Sequence, residues 1–297
     1  MRPYSFETAD VFTSKQFGGN PLAVITDARG LSTRHMQSIA AEFNFSETTF
    51  VLLPEDPANT ARVRIFNRTA EMPFAGHPSI GTGYVLAGLG RGRNGPLHLE
   101  VPAGLVRVEI ERDAEGRPTG GKITAPQPLS VGGELPVEGI ASCLGLNPDD
   151  VDTSEHAPCL VSVGVPFVVA RLRPDALGRC SPDLSAFRGL AAAHPWLEGR
   201  LSLHVYCKFE AGLRARMFAP LAGTFEDPAT GSANAPLGAL LLSLGTEPHA
   251  EFEVRQGEEM GRPSVLHVTA ERRPSGLHAT VAGRCVTVSR GELLLSV

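Results

Sequence analysis

Short runs of alternating or β-branched residues recur between turn signals, at 4–12, 21–26, 49–53, 61–66, 97–101, 104–111, 160–164, 167–172, 201–207, 251–255, 264–269, 277–281 and 285–288. Alternation sends every second side chain to one face, so these runs read as short strands with one face buried. So many strands among few helices predict a β-rich α+β fold rather than a doubly wound parallel sheet. The clearest helical spacing is at 32–43, where Ser32 is the N-cap and Met36, Ile39, Ala40 and Phe43 fall at i, i+3, i+4 and i+7. Further helices are predicted at about 79–89, 136–144, near 183–192 and at about 233–244.

Two of these helices belong to an internal repeat. Ala75-Gly76-His77-Pro78 precedes Leu86, Leu89 and Gly90; at an offset of 155, Thr230-Gly231-Ser232-Ala233 precedes Leu241, Leu244 and Gly245. Each half thus holds a small-residue turn, then an apolar helix with a glycine at its C-cap. Both helices are apolar nearly all round (YVLAGL and LGALLLSL), so each should lie inside its own domain with a sheet around it. The pattern implies a duplication. The first domain is expected to cover 1–127, with a C-terminal strand at about 284–297 packing back onto it, and the second 128–283, after the Pro126-Gln127-Pro128 break.

Composition narrows the function classes. The 297 residues are 42% hydrophobic and 20% charged, and the net charge is −5 with no Lys/Arg cluster, so no nucleic-acid partner is expected. The first residues carry no continuous apolar core, and the longest apolar stretch, 236–244, is too short to span a bilayer, so neither a signal peptide nor a membrane partner is expected and the compartment is read as cytoplasmic. Five widely spaced cysteines with no CxxC argue against a disulfide framework or a zinc site and read as buried packing residues.

The chemistry is expected at the two helix starts. A helix N-terminus presents unpaired N–H groups and partial positive charge, and a glycine there lets an anion approach the backbone. Related by a pseudo-twofold, the Gly76-His77 and Gly231-Ser232 turns would face each other across a cleft and cradle a small carboxylate. Capped structural helices are the plainer reading, but His77 at one mouth and Asp227 and Ser232 at the other add titratable and hydroxyl groups at equivalent places. Glu47 follows the 32–43 helix and opens the β run TTFVLL. It either ends the turn in water or stands at a cleft edge among phenylalanines, where desolvation would raise its pKa towards that of a working acid–base group.

At these residues the chain resembles the PhzF family of phenazine-biosynthesis isomerases. The likeness runs through DVFTSKQFGGNPLAVI (10–25), MQSIAAEFNFSETTFVL (36–52), RIFNRTAEMPFAGHPSIGT (64–82), RMFAPLAGTFEDPATGSANAPLG (216–238), QGEEMGRPS (256–264) and the tail 281–295. It departs at Asn67-Arg68, where the family commonly has Thr-Pro, and is weak over 129–200. The resemblance implies a diaminopimelate epimerase-like fold: two similar domains, each a curved, mostly antiparallel or mixed, barrel-like sheet around a central helix. It implies Glu47 as general acid and base, His77 and Asp227 as catalytic partners, and Gly76, Gly231, Ser232 and Asn20 as substrate-binding groups. It also implies no metal or organic cofactor, a small carboxylate-bearing substrate such as trans-2,3-dihydro-3-hydroxyanthranilate, and a homodimer.

Three other activities compete. A two-thiol epimerase or racemase on this fold places cysteine before each helix-start glycine, where this chain has Ala75 and Thr230. A dehydratase would use the same residues as the isomerase. A non-catalytic small-molecule-binding protein would keep the fold without turnover.

Overall fold

In the computed structural model, which describes residues 2–92, 95–210 and 212–295, the chain forms two compact units, Met1–Ile123 with Ala282–Val297, and Thr124–Val281. Residues 1, 93, 94, 296 and 297 of the expected first domain lie outside the described residues, as does residue 211 of the expected second.

The first unit runs β1 (Arg2–Val11), β2 (Asn20–Ile25), α1 (Thr33–Phe43), β3 (Glu47–Leu52), β4 (Ala61–Phe66), β5 (Glu71–Met72), α2 (Gly76–Gly88), β6 (Leu97–Val101), β7 (Gly104–Arg112) and β8 (Pro118–Thr124). The second runs β9 (Ser130–Glu134), α3 (Val137–Leu144), β10 (Cys159–Ser162), β11 (Pro166–Arg171), α4 (Pro174–Leu177), α5 (Leu184–Ala193), β12 (Leu203–Phe209), β13 (Gly212–Ala219), β14 (Thr224–Asp227), α6 (Gly231–Ser243), β15 (His249–Gln256) and β16 (Ser264–Arg273). The last strand, β17 (Gly276–Leu295), starts in the second unit and ends in the first.

Pairing closes the first unit's sheet into a ring of eight strands. β1 is antiparallel to β17 and β2, β2 parallel to β3, β3 antiparallel to β4, β4 parallel to β6, and β6–β7–β8 antiparallel. A β17–β8 pairing completes it. There the backbones approach so closely that a Cβ on Gly120 would meet the Gly283 carbonyl oxygen at 2.3 Å. This explains glycines in the middle of a strand, which the hydrophobic pattern reads as a loop.

The second unit repeats the order. β10–β11 are antiparallel, β11–β12 parallel, β12–β13 antiparallel, β13–β15 parallel and β15–β16 antiparallel, with β9 antiparallel to β10. The two parallel steps fall at matching places, which two unrelated sheets would not share. The fold is thus α+β, with a curved mixed sheet around a helix in each unit.

The central helices are α2, which packs on β1, β2, β3 and β7, and α6, which packs on β10, β11, β15 and β16. Glycine permits the close packing. A Cβ on Gly83 would stand 2.8 Å from a Val108 methyl, and one on Gly238 would stand 2.5 Å from a Val268 methyl. These glycines are again 155 residues apart. The amphipathic α1 instead covers the sheet from outside through Met36, Ile39 and Ala40, which cluster with Tyr4, Ile25, Phe50 and Phe66. Ser32 caps it by accepting from the His35 N–H at 3.2 Å.

Several expectations change. Both central helices start earlier than their apolar runs, α2 at Gly76, because Pro78 is tolerated in a first turn, and α6 at Gly231, with Pro236 inside the helix. Gly90 has the left-handed conformation of a C-cap (φ 87°), but Gly245 does not. The runs at 277–281 and 285–288 are one strand, and β5, β8, β9, β13 and β14 go beyond the pattern. At the Asn67-Arg68 departure, Asn67 Oδ1 accepts from the Thr69 and Ala70 N–H groups and so makes the β4–β5 turn itself. Among the described residues no helix is long and apolar enough to cross a membrane.

Candidate active site

The polar residues of each unit gather at the start of its buried helix. In the first unit, Ala75 precedes α2 in extended conformation and gives it no side-chain cap. A cap of this kind is worth about 1 kcal/mol. Without one, the Gly76 and His77 N–H groups keep no intrahelical acceptor, and the positive end of the helix dipole is open to an anion. Ser79 does not replace the cap, because its hydroxyl donates to the Ala75 carbonyl at 2.8 Å.

Glu47 is the first residue of β3, and its register beside Leu22 of the parallel β2 fixes where it stands. A hydrogen bond of 2.8 Å between the Thr49 and Thr82 hydroxyls ties β3 to α2. The result is His77 Nε2 at 3.4 Å from Glu47 Oε2, with the side chains 6% and 15% exposed. The buried Nε2 makes no hydrogen bond at this distance. Burial pushes the imidazole down to about 3, so His77 is neutral around pH 7. A carboxylate and a neutral imidazole at an uncapped helix start can exchange a proton with a bound acid and orient its polar groups. Asn20, the first residue of β2, is fully buried at the same end of the strand pair.

The second unit offers a parallel arrangement with different groups. Thr230 precedes α6 but gives no side-chain cap, so the Gly231 and Ser232 N–H groups, which have no intrahelical acceptor, gain none from it. Its hydroxyl donates instead to Asp227 Oδ2 at 2.5 Å. Asp227, the last residue of β14, is 7% exposed. The preceding Glu226 forms a bidentate pair of 2.7 and 2.8 Å with Arg216, which also donates to the Leu177 and Cys180 carbonyls.

Sequence reasoning missed Gln256, Asn234 and His204, all fully or almost fully buried and hydrogen-bonded beneath the α6 start. One signal was available: each is a polar residue in an otherwise apolar or β-rich run. The five cysteines are free and buried. Burial pushes Cys143 and Cys180 up to about 12 and Cys159 to about 11, and raises Cys207 and Cys285 too, so none is a ready thiolate. Among the described residues, no group of three or more His, Cys, Asp or Glu side chains is arranged to hold a metal ion.

Comparison with known proteins agrees with this architecture. The profile of the PhzC-PhzF family, phenazine biosynthesis-like protein, matches residues 9–291. An uncharacterized isomerase of Mesorhizobium japonicum is 37% identical, covering 99% of this chain and all of that protein. The trans-2,3-dihydro-3-hydroxyanthranilate isomerase of Pseudomonas chlororaphis is 36% identical, covering 96% of this chain and 98% of the relative. The crystal structure of a Bacillus anthracis phenazine biosynthesis protein of the PhzF family superposes with a TM-score of 0.87 at 28% identity, covering 99% of this chain and all of that one.

Proposed function

The chain belongs to the phenazine biosynthesis-like (PhzF) family, and from that premise we propose that it is an isomerase moving a proton within a small carboxylate-bearing substrate of the trans-2,3-dihydro-3-hydroxyanthranilate type. The observation that carries this reading is the Glu47–His77 pair at the uncapped start of α2. In the proposed cycle the Glu47 carboxylate takes an allylic proton, and the electron pair shifts through the conjugated system. The same group, now a carboxylic acid whose proton exchanges with solvent, delivers a proton to another carbon. Neutral His77 holds a polar group of the substrate. In the first unit the Gly76 N–H and Asn20 are the proposed binding groups; in the second, the Gly231 and Ser232 N–H groups with Asp227 are proposed in the same role.

Acid–base catalysis by one positioned group is worth about 10²–10⁴-fold. N–H groups held towards developing negative charge add stabilisation that costs no reorganisation during the reaction. The two-thiol alternative is disfavoured by Ala75 and Thr230 before the helix-start glycines and by the buried thiols.

The test is turnover of trans-2,3-dihydro-3-hydroxyanthranilate followed by absorbance and by NMR in D2O. The reading expects an isomerised product carrying solvent deuterium at the reprotonated carbon. Loss of the hydroxyl as water would convert the assignment to a dehydratase. Thermal stabilisation by the substrate with no exchange or product would leave only a binding protein.

A further inference from the structure

The buried polar chain beneath α6 has directions that the backbone dictates. Gln256, at the end of β15, donates from Nε2 to the Asp227 carbonyl at 2.8 Å and to Thr230 Oγ1 at 3.1 Å. Its Oε1 accepts from the Thr230 N–H at 3.2 Å and from Asn234 Nδ2 at 2.9 Å. Asn234 Nδ2 also donates to the Thr230 carbonyl at 3.0 Å, and its Oδ1 faces His204 Nε2 at 3.1 Å. A backbone N–H can only donate and a carbonyl can only accept, so neither amide can be flipped. Asn234 Oδ1 must therefore accept, which puts the proton of His204 on Nε2. Burial pushes that imidazole down to about 4, so the ring is neutral around pH 7.

The chain reaches Asp227. Thr230 Oγ1 already accepts from Gln256, so its own proton goes to Asp227 Oδ2. Thr230 gives up the cap of its own helix to make this bond. A purely structural tie between β14, α6 and β15 would need only the backbone contacts of Gln256, and the helix would be better served by a capping hydroxyl.

We propose that Gln256 is a positioning residue: through Thr230 it holds the Asp227 carboxyl group in one orientation at the start of α6, while Asn234, itself held by His204, fixes Gln256. The proposal rests on the reading of Asp227 as a substrate group. It assigns position 230 a role that needs a hydroxyl, both accepting and donating.

The test compares Thr230→Val, Thr230→Ser and Gln256→Glu with the wild type. Thr230→Val should lower kcat/KM by about 10- to 100-fold, the usual effect of losing a hydrogen bond to a charged group, and Thr230→Ser should restore most of it. Gln256→Glu can donate to the Asp227 carbonyl only when protonated, so its activity should fall with rising pH where that of the wild type does not. A readout independent of turnover is the ¹³C titration of the Asp227 carboxyl, identified by its absence in Asp227→Asn. That titration should move to higher pH in Thr230→Val and return in Thr230→Ser. An unchanged Asp227 titration in Thr230→Val, with Thr230→Ser no better than Thr230→Val in kcat/KM, would overturn the proposal. If Thr230→Val does not fold, a Gln256→Glu variant with the wild-type pH profile and Asp227 titration overturns it equally. A wild type that does not turn over the dihydrohydroxyanthranilate defeats the proposed function, and the carboxyl titration still decides the positioning role.

Discussion

Acidification should destabilise the second unit through His204, and the size of the effect follows from its burial. The ring is fully buried, and burial pushes it from 6.5 down to about 4. The unfolded chain takes up a proton near pH 6.5, whereas the folded one resists until about pH 4. Between those values the unfolded state holds more protons, so stability falls as pH falls. From pH 7 to pH 5 the His204 contribution is about 2 kcal/mol, a large fraction of the stability of an ordinary domain. Urea unfolding followed by Trp196 fluorescence measures this directly, because Trp196 is the only tryptophan and lies in the same unit. The His204→Gln variant should lose about 2 kcal/mol less than the wild type over that pH interval, whatever its stability at pH 7. Equal losses in the two proteins would refute the reasoning. His77, pushed down to about 3, makes a contribution of similar sign and size in the first unit.

Removing one partner of the buried Arg216–Glu226 pair leaves a charge without its counter-ion, so Glu226→Gln should cost about 3 kcal/mol, read as a lower urea midpoint of the Trp196 transition. In Gly238→Ala the helix gains about 1 kcal/mol of propensity, but the new methyl meets Val268 at 2.5 Å and overpacking costs about 1–3 kcal/mol, so calorimetry should show a net loss. The thiols should be silent to a thiol-specific chromogenic reagent in the folded protein, with all five reacting in urea; rapid modification with loss of activity would revive a thiol mechanism.

Much of the fold is legible in the sequence because burial writes it there. The all-round apolar character of α2 and α6, and the offset of 155 between their glycines, announce two sheets wrapped around two helices. β8 escapes because its Gly120 and Gly121 serve a close backbone approach rather than a hydrophobic face. β13 carries Arg214 and Arg216 between apolar residues, and Arg216 is buried by its pairing with Glu226. At the site, the motifs point to Glu47, His77 and Asp227, yet no local pattern reports that Glu47 and His77 meet, since the contact depends on the register of β2 with β3 and the Thr49–Thr82 tie. Gln256 is equally silent: its partners lie 22 to 29 residues away, and only the folded unit brings them together.

The most direct test of the central claim is the Glu47→Gln variant, assayed beside the wild type for solvent deuterium incorporation into trans-2,3-dihydro-3-hydroxyanthranilate and its product. Glutamine keeps the size and polarity of the side chain at the start of β3 but cannot carry the proton. The expected result is a folded variant with turnover and deuterium wash-in reduced together by about 10²–10⁴-fold. A folded Glu47→Gln protein that still exchanges and isomerises at close to the wild-type rate would contradict it.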